Sequence, residues 1–335
     1  MSKSSLNPRA SFLAPLRAAL LGLVLLCASV AAAATPLPDW QSPLLRDHPL
    51  TGRIWDPAAE AFLSAEQVSR RLAETDVLLL GERHDNADHH QLQAWMVSAM
   101  VAVGHRPAVA FEMIPRDLGG RLTDYLRQGG TAAGLGAALD WQDSGWPDWS
   151  IYQPIAEVAL ENGLDIVAAD LPLAKRRQIS ETGAGGLPDG LRKLWALQRP
   201  WPEEITRSLL EELSRAHCDV APPEAFARQA EVQRARDAAM ADSLLQAFER
   251  GDTAVLIAGA GHTRPDRGVP WFLAARLPDL ETLSVAFREV ETGRTQPALY
   301  GDQGGHDLIW FTPRHDDVDP CEAFAEQLER LREAP

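Results

Sequence analysis

Carboxylates and imidazoles recur directly after short apolar runs in this sequence. Gly81-Glu82-Arg83-His84-Asp85-Asn86 follows Val77 to Leu80, and Gly259-Ala260-Gly261-His262 follows Ala254 to Ala258. Glu112 comes after the run Ala108 to Phe111, and Asp170 after Asp165 to Ala169. In open α/β sheets ligands sit in the crevice beyond the carboxyl ends of the parallel strands, so residues just past such runs converge on one edge. Glu82, His84, Glu112 and His262 are therefore candidates for one shared site. A His/Glu/His set of this kind can orient a general base toward water, or hold a divalent metal with an open position. Taken singly, each residue is as well explained as a cap or salt-bridge partner; their joint placement argues for function.

Further groups flank these. Asp88-His89-His90 opens the helix after the first run, and adjacent helical residues point about 100° apart, so His89 and His90 cannot both address one metal. Arg234, Arg236 and Asp237 lie on a long helical stretch, and Lys175, Arg176 and Arg177 follow the third run. Such clusters can hold a carboxylate or phosphate, or form a salt-bridged basic turn. Past the first 34 residues the only lysines are Lys175 and Lys193, so guanidinium is the main cation available to an anion. Of the tyrosines, Tyr152 follows a Trp-rich stretch and precedes Pro154 and a helix, which places its phenol near the pocket mouth. Phenolate can ligate ferric haem, and packing is the plainer role.

The elements that must position these residues are legible from hydrophobic pattern. Continuous rather than alternating apolar runs suit a parallel sheet covered on both faces. Helical spacing recurs from Asp88 to Val103, from Ile155 to Asn162 before Gly163, and from Ala225 to Arg250 before Gly251. Leu283 to Phe287 and Leu308 to Phe311 read as two further strands, followed by a helix from Pro320 to Arg332. The alternation predicts an α/β fold with a mostly parallel central sheet flanked by helices. Insertions at about 115–150, with Trp141, Trp146 and Trp149, and at 183–223 are expected to cover the C-terminal edge of the strands, their tryptophans serving as packing or as pocket walls.

Residues 1–34 have the three parts of a secretory signal: Lys3, Arg9 and Arg17 without an acid, the apolar stretch Ala18 to Val30, and Ala31 to Ala34. The apolar part falls short of the roughly 20 residues needed to cross a bilayer. Cleavage after Ala34 leaves about 300 residues, enough for one large α/β domain with insertions or two small ones, with a single domain over 35–335 as the expectation, and it removes three positive charges, taking the formal net charge from −15 to −18. That acidic surface argues against nucleic acid and against an anionic membrane as partners. A lipid anchor at Cys27 is the alternative to soluble export, although Leu26 stands where such sites place a small residue. Cys218 and Cys321 then remain in an oxidising compartment, as one disulfide or two thiols.

Gly81 to Asn86 with Asp88-His89-His90, Phe111-Glu112-Met113, Tyr152-Gln153-Pro154-Ile155, Ala168 to Pro172, Gln233 to Met240, and Gly259 to His262 with Gly268-Val269-Pro270 resemble the ChaN-like haem-binding proteins. These belong to the Tiki/TraB/erythromycin-esterase-like superfamily. The resemblance runs from about residue 40 to the C-terminus and takes in Trp310 to Pro313 and Asp319 to Cys321. It implies an exported cell-envelope protein, periplasmic or attached to the outer membrane, that serves haem or iron uptake. Haem would lie between two subunits of a homodimer, and a receptor or transporter of the uptake system would be a partner. Residue by residue, it implies Tyr152 as haem ligand, with His84, His262, Lys175 and Arg176 toward the propionates. The superfamily's catalytic members use a motif like Gly81 to His84, a later Glu and a later His. By that resemblance the alternative is a metal-dependent or His/Glu-assisted hydrolase, an esterase or peptidase, using Glu82, His84, Glu112 and His262. The weak lipidation signal at Cys27 and the scarcity of lysine depart from the family pattern.

Overall fold

A computed structural model describes residues 37–251, 253–301, 305–319, 321, 322 and 325. The expected leader over 1–34, with Cys27, and nearly all of the expected helix over 320–332 lie outside the described residues. Each of the six apolar runs forms a strand: β3 (Val77–Glu82), β4 (Ala108–Pro115), β5 (Ile166–Asp170), β6 (Ala254–Gly259), β7 (Thr282–Glu289) and β8 (Leu308–Thr312). They pair in parallel, and β1 (Ile54–Asp56) and β2 (Ala61–Leu63) extend the β8 edge antiparallel, giving the order β2-β1-β8-β7-β3-β6-β4-β5. The two edge strands were not expected from the sequence, because three residues carry too little periodicity to be read.

Helices cover both faces: α1 (Ala65–Ala73), α2 (Ala87–Ala102), α3 (Gly119–Arg127), α4 (Ala132–Ala138), α5 (Trp149–Glu161), α6 (Leu173–Thr182), α7 (Asp189–Leu194), α8 (Glu203–Ala216), α9 (Ala227–Gly251) and α10 (Val269–Arg276). Side chains alternate across a strand. Leu78, Leu80, Val109, Phe111, Val255 and Ile257 accordingly enter one core with α2 and α5. Val77, Leu79, Ala108, Ala110, Leu256 and Ala258 enter the other with α9 and α10. The sequence patterns as fully apolar because both sides are buried. In α9 the alanines Ala235, Ala238, Ala239 and Ala241 are all buried. Their small side chains let the helix backbone lie close to the sheet, and this carries Arg236 and Asp237 to the strand ends.

The connections decide where a site forms. From β3 the chain crosses by α2 to β4, on one side of the neighbouring β6; from β6 it crosses by α10 to β7, on the other side of β3. The strand order thus reverses between β3 and β6, and Glu82 pairs with Gly259 in register at that point. An opening beyond two strands whose connections diverge is the general location of ligand sites in such sheets.

One expectation is corrected. Tyr152 does not precede its helix but sits inside it: α5 starts at Trp149, capped by Asp148, and Pro154 is accommodated in its interior. Proline reads as a boundary because it removes a backbone donor and clashes with the preceding turn, and here the surrounding packing overrides that preference. The tryptophans are mainly core: Trp141, Trp149, Trp195 and Trp201 are buried, and Trp146 alone of the first cluster is half-buried. Cys218 and Cys321 form a disulfide with a Cα separation of 5.5 Å, joining the 183–223 insertion to the C-terminal segment. Among the described residues no helix is long and apolar enough to cross a membrane.

Candidate functional site

Gly81 is required by a close approach. A Cβ there would meet Thr263 Oγ1 and lie 2.8 Å from Ala260 Cα, so only glycine lets the β6 loop close over β3. Beyond it Glu82 Oε1 lies 2.6 Å from His84 Nδ1. The other carboxylate oxygen, Oε2, is buried without a hydrogen-bond partner among the described residues. The His84 side chain is 38% exposed, the most open of the site's imidazoles, and its ring meets the edge of Trp146 at 4.7 Å. Tyr152 Oη donates to the His84 carbonyl at 3.2 Å, and His90 Nε2 lies 3.0 Å from the same oxygen. Asn86 caps α2, accepting from the amides of Asp88 and His89, which fixes the loop at its far end.

The other strands bring the remaining groups together. Glu112 Oε2 accepts from the Gly259 amide at 2.7 Å, and Oε1 accepts from Arg236 Nη2 at 2.6 Å. A Cβ on Gly259 would lie 3.0 Å from His84 Cε1 and 3.7 Å from Glu112 Oε2, so His84 rests over this glycine with Glu112 alongside. Asp170 accepts from Arg236 Nε at 2.9 Å and from Arg176 Nη2 at 2.7 Å. His262 Nδ1 is 2.6 Å from Asp237 Oδ1. Its Nε2 is 3.0 Å from Arg236 Nη1 and 3.4 Å from Glu112 Oε1, so it accepts from the guanidinium when neutral and faces the carboxylate when charged.

Charge balance governs the protonation of this cluster. Four acids, Glu82, Glu112, Asp170 and Asp237, face Arg236, Arg176 and two imidazoles, so the assembly is neutral only with both imidazoles protonated. Burial opposes charge on His262, yet Glu112 and Asp237 lift its pKa to about 10. His84 is likewise disfavoured by burial and raised by Glu82. Burial would raise Glu112, but His262 and Arg236 hold it well below the usual carboxylate range.

Glu82, His84, Glu112 and His262 are therefore brought together as expected from the strand ends, but not as a metal-ligand set. Both oxygens of Glu112 and both nitrogens of His262 already have partners, and the Arg236 guanidinium stands as the resident cation. Among the described residues the one group with metal-like spacing is Asp85, His315 and Asp316, and Arg83 already neutralises it, at 2.7 Å from Asp85 and 3.2 Å from Asp316. Tyr152 is not at a pocket mouth: its side chain is fully buried, its hydroxyl is engaged, and burial together with Glu82 and Glu112 raises its pKa, all of which disfavour a phenolate. Arg176 reaches the cluster but is held by Asp170, while Lys175 is exposed and bonds Gln178 at 3.0 Å. His89 and His90 are buried and structural, His89 Nδ1 accepting from the Arg83 amide at 2.9 Å. The roles of Arg236 and Asp237 were not legible. The available signal was Gln233-x-x-Arg236-Asp237, whose spacing puts Gln233 and Arg236 on one helical face, and Gln233 Oε1 does accept from Arg236 Nη1 at 3.1 Å.

Space near the cluster is limited. One cleft of about 70 Å³ lies against Asp237 and His262, and another of about 320 Å³ runs from Glu82 to Arg83 and Phe287. A larger groove of about 670 Å³ lies away from the acids, between Trp55, Phe62 and Ile309; its imidazole, His306, is buried with Nε2 3.1 Å from Thr263 Oγ1.

Residues 68–273, a span that contains every member of this cluster, match the model of the family described as haem-binding uptake, Tiki superfamily, ChaN. The chain belongs to this ChaN family. The structure of ChaN of Campylobacter jejuni, reported for its cofacial haem binding, is similar with a TM-score of 0.60 at 22% identity, covering 77% of this chain and 95% of that one. At that identity the likeness speaks for the fold, an α/β sheet of eight mostly parallel strands. Protein RETICULATA-RELATED 5, chloroplastic, of Arabidopsis thaliana is 24% identical over 163 residues, 45% of this chain, which spans only 22% of that protein's length.

Proposed function

We propose that this ChaN family member binds haem as cargo in the cell envelope, on the open face beyond β3 and β6, with His84 toward the iron. The observation that carries the reading is the family match across the whole cluster. Three features of the site support it. His84 Nδ1 is fixed by Glu82, the arrangement by which a carboxylate orients a metal-binding imidazole and raises the basicity of its other nitrogen. Neither cleft at the strand ends approaches the upper part of the roughly 300–1,000 Å³ range of enclosing ligand sites, so a macrocycle would lie on the surface with one face uncovered. A second copy of the chain would cover that face, in line with the cofacial binding described for the Campylobacter protein. Tyr152 then acts through the His84 carbonyl and not on iron.

Haemin titration followed by size-exclusion chromatography tests this. The expected result is a saturable Soret change with formation of a dimer, lost in His84→Ala and kept in spectral type in Tyr152→Phe. Absence of a saturable change in the unaltered protein overturns it.

A second reading rests on a separate observation. Two carboxylate–imidazole pairs, Glu82 with His84 and Asp237 with His262, flank Glu112, and Glu82 Oε2 has no partner among the described residues. Such pairs can hold a general base toward water. Ester and peptide turnover that survives chelation and disappears in His84→Ala would support a hydrolase; no turnover above the variant's would dismiss it.

A further inference from the structure

The aromatic ring beside His84 is one that the core leaves partly open. Trp146 lies with its ring centroid 4.7 Å from that of His84 and its plane at 68° to the imidazole. Its neighbours Trp141 and Trp149 are buried, and their ring N–H groups donate to the Pro147 and Ala132 carbonyls at 2.7 and 2.8 Å. Trp146 packs against the core shared by α2 and α5, yet stays half-buried. The loop that carries it is fixed on both sides. Gly145 makes the turn at φ 83°, the Trp146 amide donates to Ser144 Oγ at 3.2 Å, and that hydroxyl donates to the Trp141 carbonyl. Asp148 caps α5 directly afterwards. A tryptophan held in this way offers a rigid apolar surface that loses little conformational entropy when it is covered.

The orientation of the indole suits a flat ligand on His84. A neutral imidazole binds metal through a ring nitrogen whose lone pair lies in the ring plane, so a coordinated macrocycle stands nearly perpendicular to the imidazole. At 68° the indole plane is also steeply inclined to His84. One planar ligand can therefore meet His84 through its metal and lie along the Trp146 face. The 4.7 Å between the two rings is smaller than the radius of a tetrapyrrole, so a ligand centred on His84 extends over the indole. Aromatic rings stack best when offset from one another, and the contact adds to the area that it buries.

We propose that Trp146 is a stacking platform beside His84, through which the open face selects a planar aromatic macrocycle by shape as well as by its metal. The class of ligand rests on the haem reading above. The contact itself is independent of iron, and a metal-free tetrapyrrole, which cannot bond to His84 as a metal does, retains it.

The test titrates the full mature chain, with 15N-labelled indole groups, with metal-free protoporphyrin and separately with haemin. The Trp146 resonance is assigned by its loss in Trp146→Phe. The free base is expected to bind saturably, more weakly than haemin, and its ring current to move the Trp146 resonance further than that of any other of the ten tryptophans. Trp146→Leu, which keeps an apolar side chain and removes the aromatic face, is expected to weaken both ligands about ten-fold without changing the type of the haemin spectrum, and Trp146→Phe to recover most of the loss. Free base that binds without moving the Trp146 resonance overturns the platform in the unaltered protein. Unchanged affinity in a Trp146→Leu protein of native melting temperature also overturns it, as does tighter binding, which would show that the indole covers His84 instead. Haemin that binds where the free base does not overturns the platform and leaves the haem reading standing. Stacking of the free base without a His84-dependent haemin spectrum keeps the platform and removes His84 as the iron ligand, and binding of neither macrocycle overturns both.

Discussion

Replacing Arg236 by methionine removes the one cation that two almost fully buried carboxylates share. Glu112 and Asp170 are 1% and 0% exposed, and Arg236 contacts them at 2.6 and 2.5 Å. Methionine fills much of the volume, so cavity effects are small and the change is mainly electrostatic. Asp170 keeps Arg176 and the Leu171 amide, and Glu112 keeps the Gly259 amide and His262, so the carboxylates are weakened in support rather than orphaned. Breaking a buried pair by removing one partner costs about 3–5 kcal/mol, a large share of the roughly 5–15 kcal/mol of a folded domain. The pH dependence has a definite sign. In the native protein Glu112 is held below its ordinary range, so its contribution is present above the unfolded carboxylate value and is lost only as pH falls through the folded one. Without Arg236 that depression loses one of its two main causes while burial still pushes upward. The variant is then penalised most where Glu112 must stay ionised, and its deficit narrows as pH falls. Urea denaturation of both proteins near pH 7.5 and near pH 5, with the disulfide kept oxidised, measures the gap. A deficit below about 1 kcal/mol near pH 7.5 would refute the assignment of Arg236 as the cation of the site.

Other consequences can be checked separately. His262, raised from 6.5 to about 10, contributes stability that is complete below pH 6.5 and is lost as pH rises through about 10; thermal melts should fall over that window in the native protein and less steeply in His262→Gln. Iron can bind only the neutral His84 imidazole, whose pKa is raised, so haemin affinity should weaken as pH is lowered through the His84 titration, as measured by absorbance at several pH values. Gly259→Ala places a methyl 3.0 Å from His84 Cε1 and should shift the His84 resonances in NMR while the fold persists, whereas Gly81→Ala meets backbone at 2.8 Å and should cost about 1–3 kcal/mol in denaturation. Reducing Cys218–Cys321, separated by 103 residues, should lower stability by roughly 2–4 kcal/mol in the same assay.

The strands were legible because a doubly covered parallel strand is apolar at nearly every position, and six runs in this chain are, Ser284 of β7 being the buried polar exception within them. Their first polar residues then fell at one edge by the rules of such sheets, which is why Glu82, His84, Glu112, Asp170 and His262 could be grouped before any geometry was known. The short β1 and β2, and α5 with its internal Pro154, were not legible, since the first two hold too few residues to show a period and the last keeps its helix through tertiary packing.

The chain's own order of residues thus determined the sheet, the family motifs and the edge at which chemistry gathers. What each group does there was decided by long-range contacts. Arg236 comes from a helix 124 residues beyond Glu112, and its arrival turns a set that resembled metal ligands into a neutral network of acids, guanidinium and imidazoles. Tyr152, which the sequence offers as an open phenol, is carried by α5 under the Gly81–Asn86 loop and spends its hydroxyl on the His84 carbonyl. Local pattern fixes which side chains reach the strand ends. Only the packing of α5, α9 and the insertions over that edge fixes which of them find partners, as Arg236 does with Glu112 and Asp170.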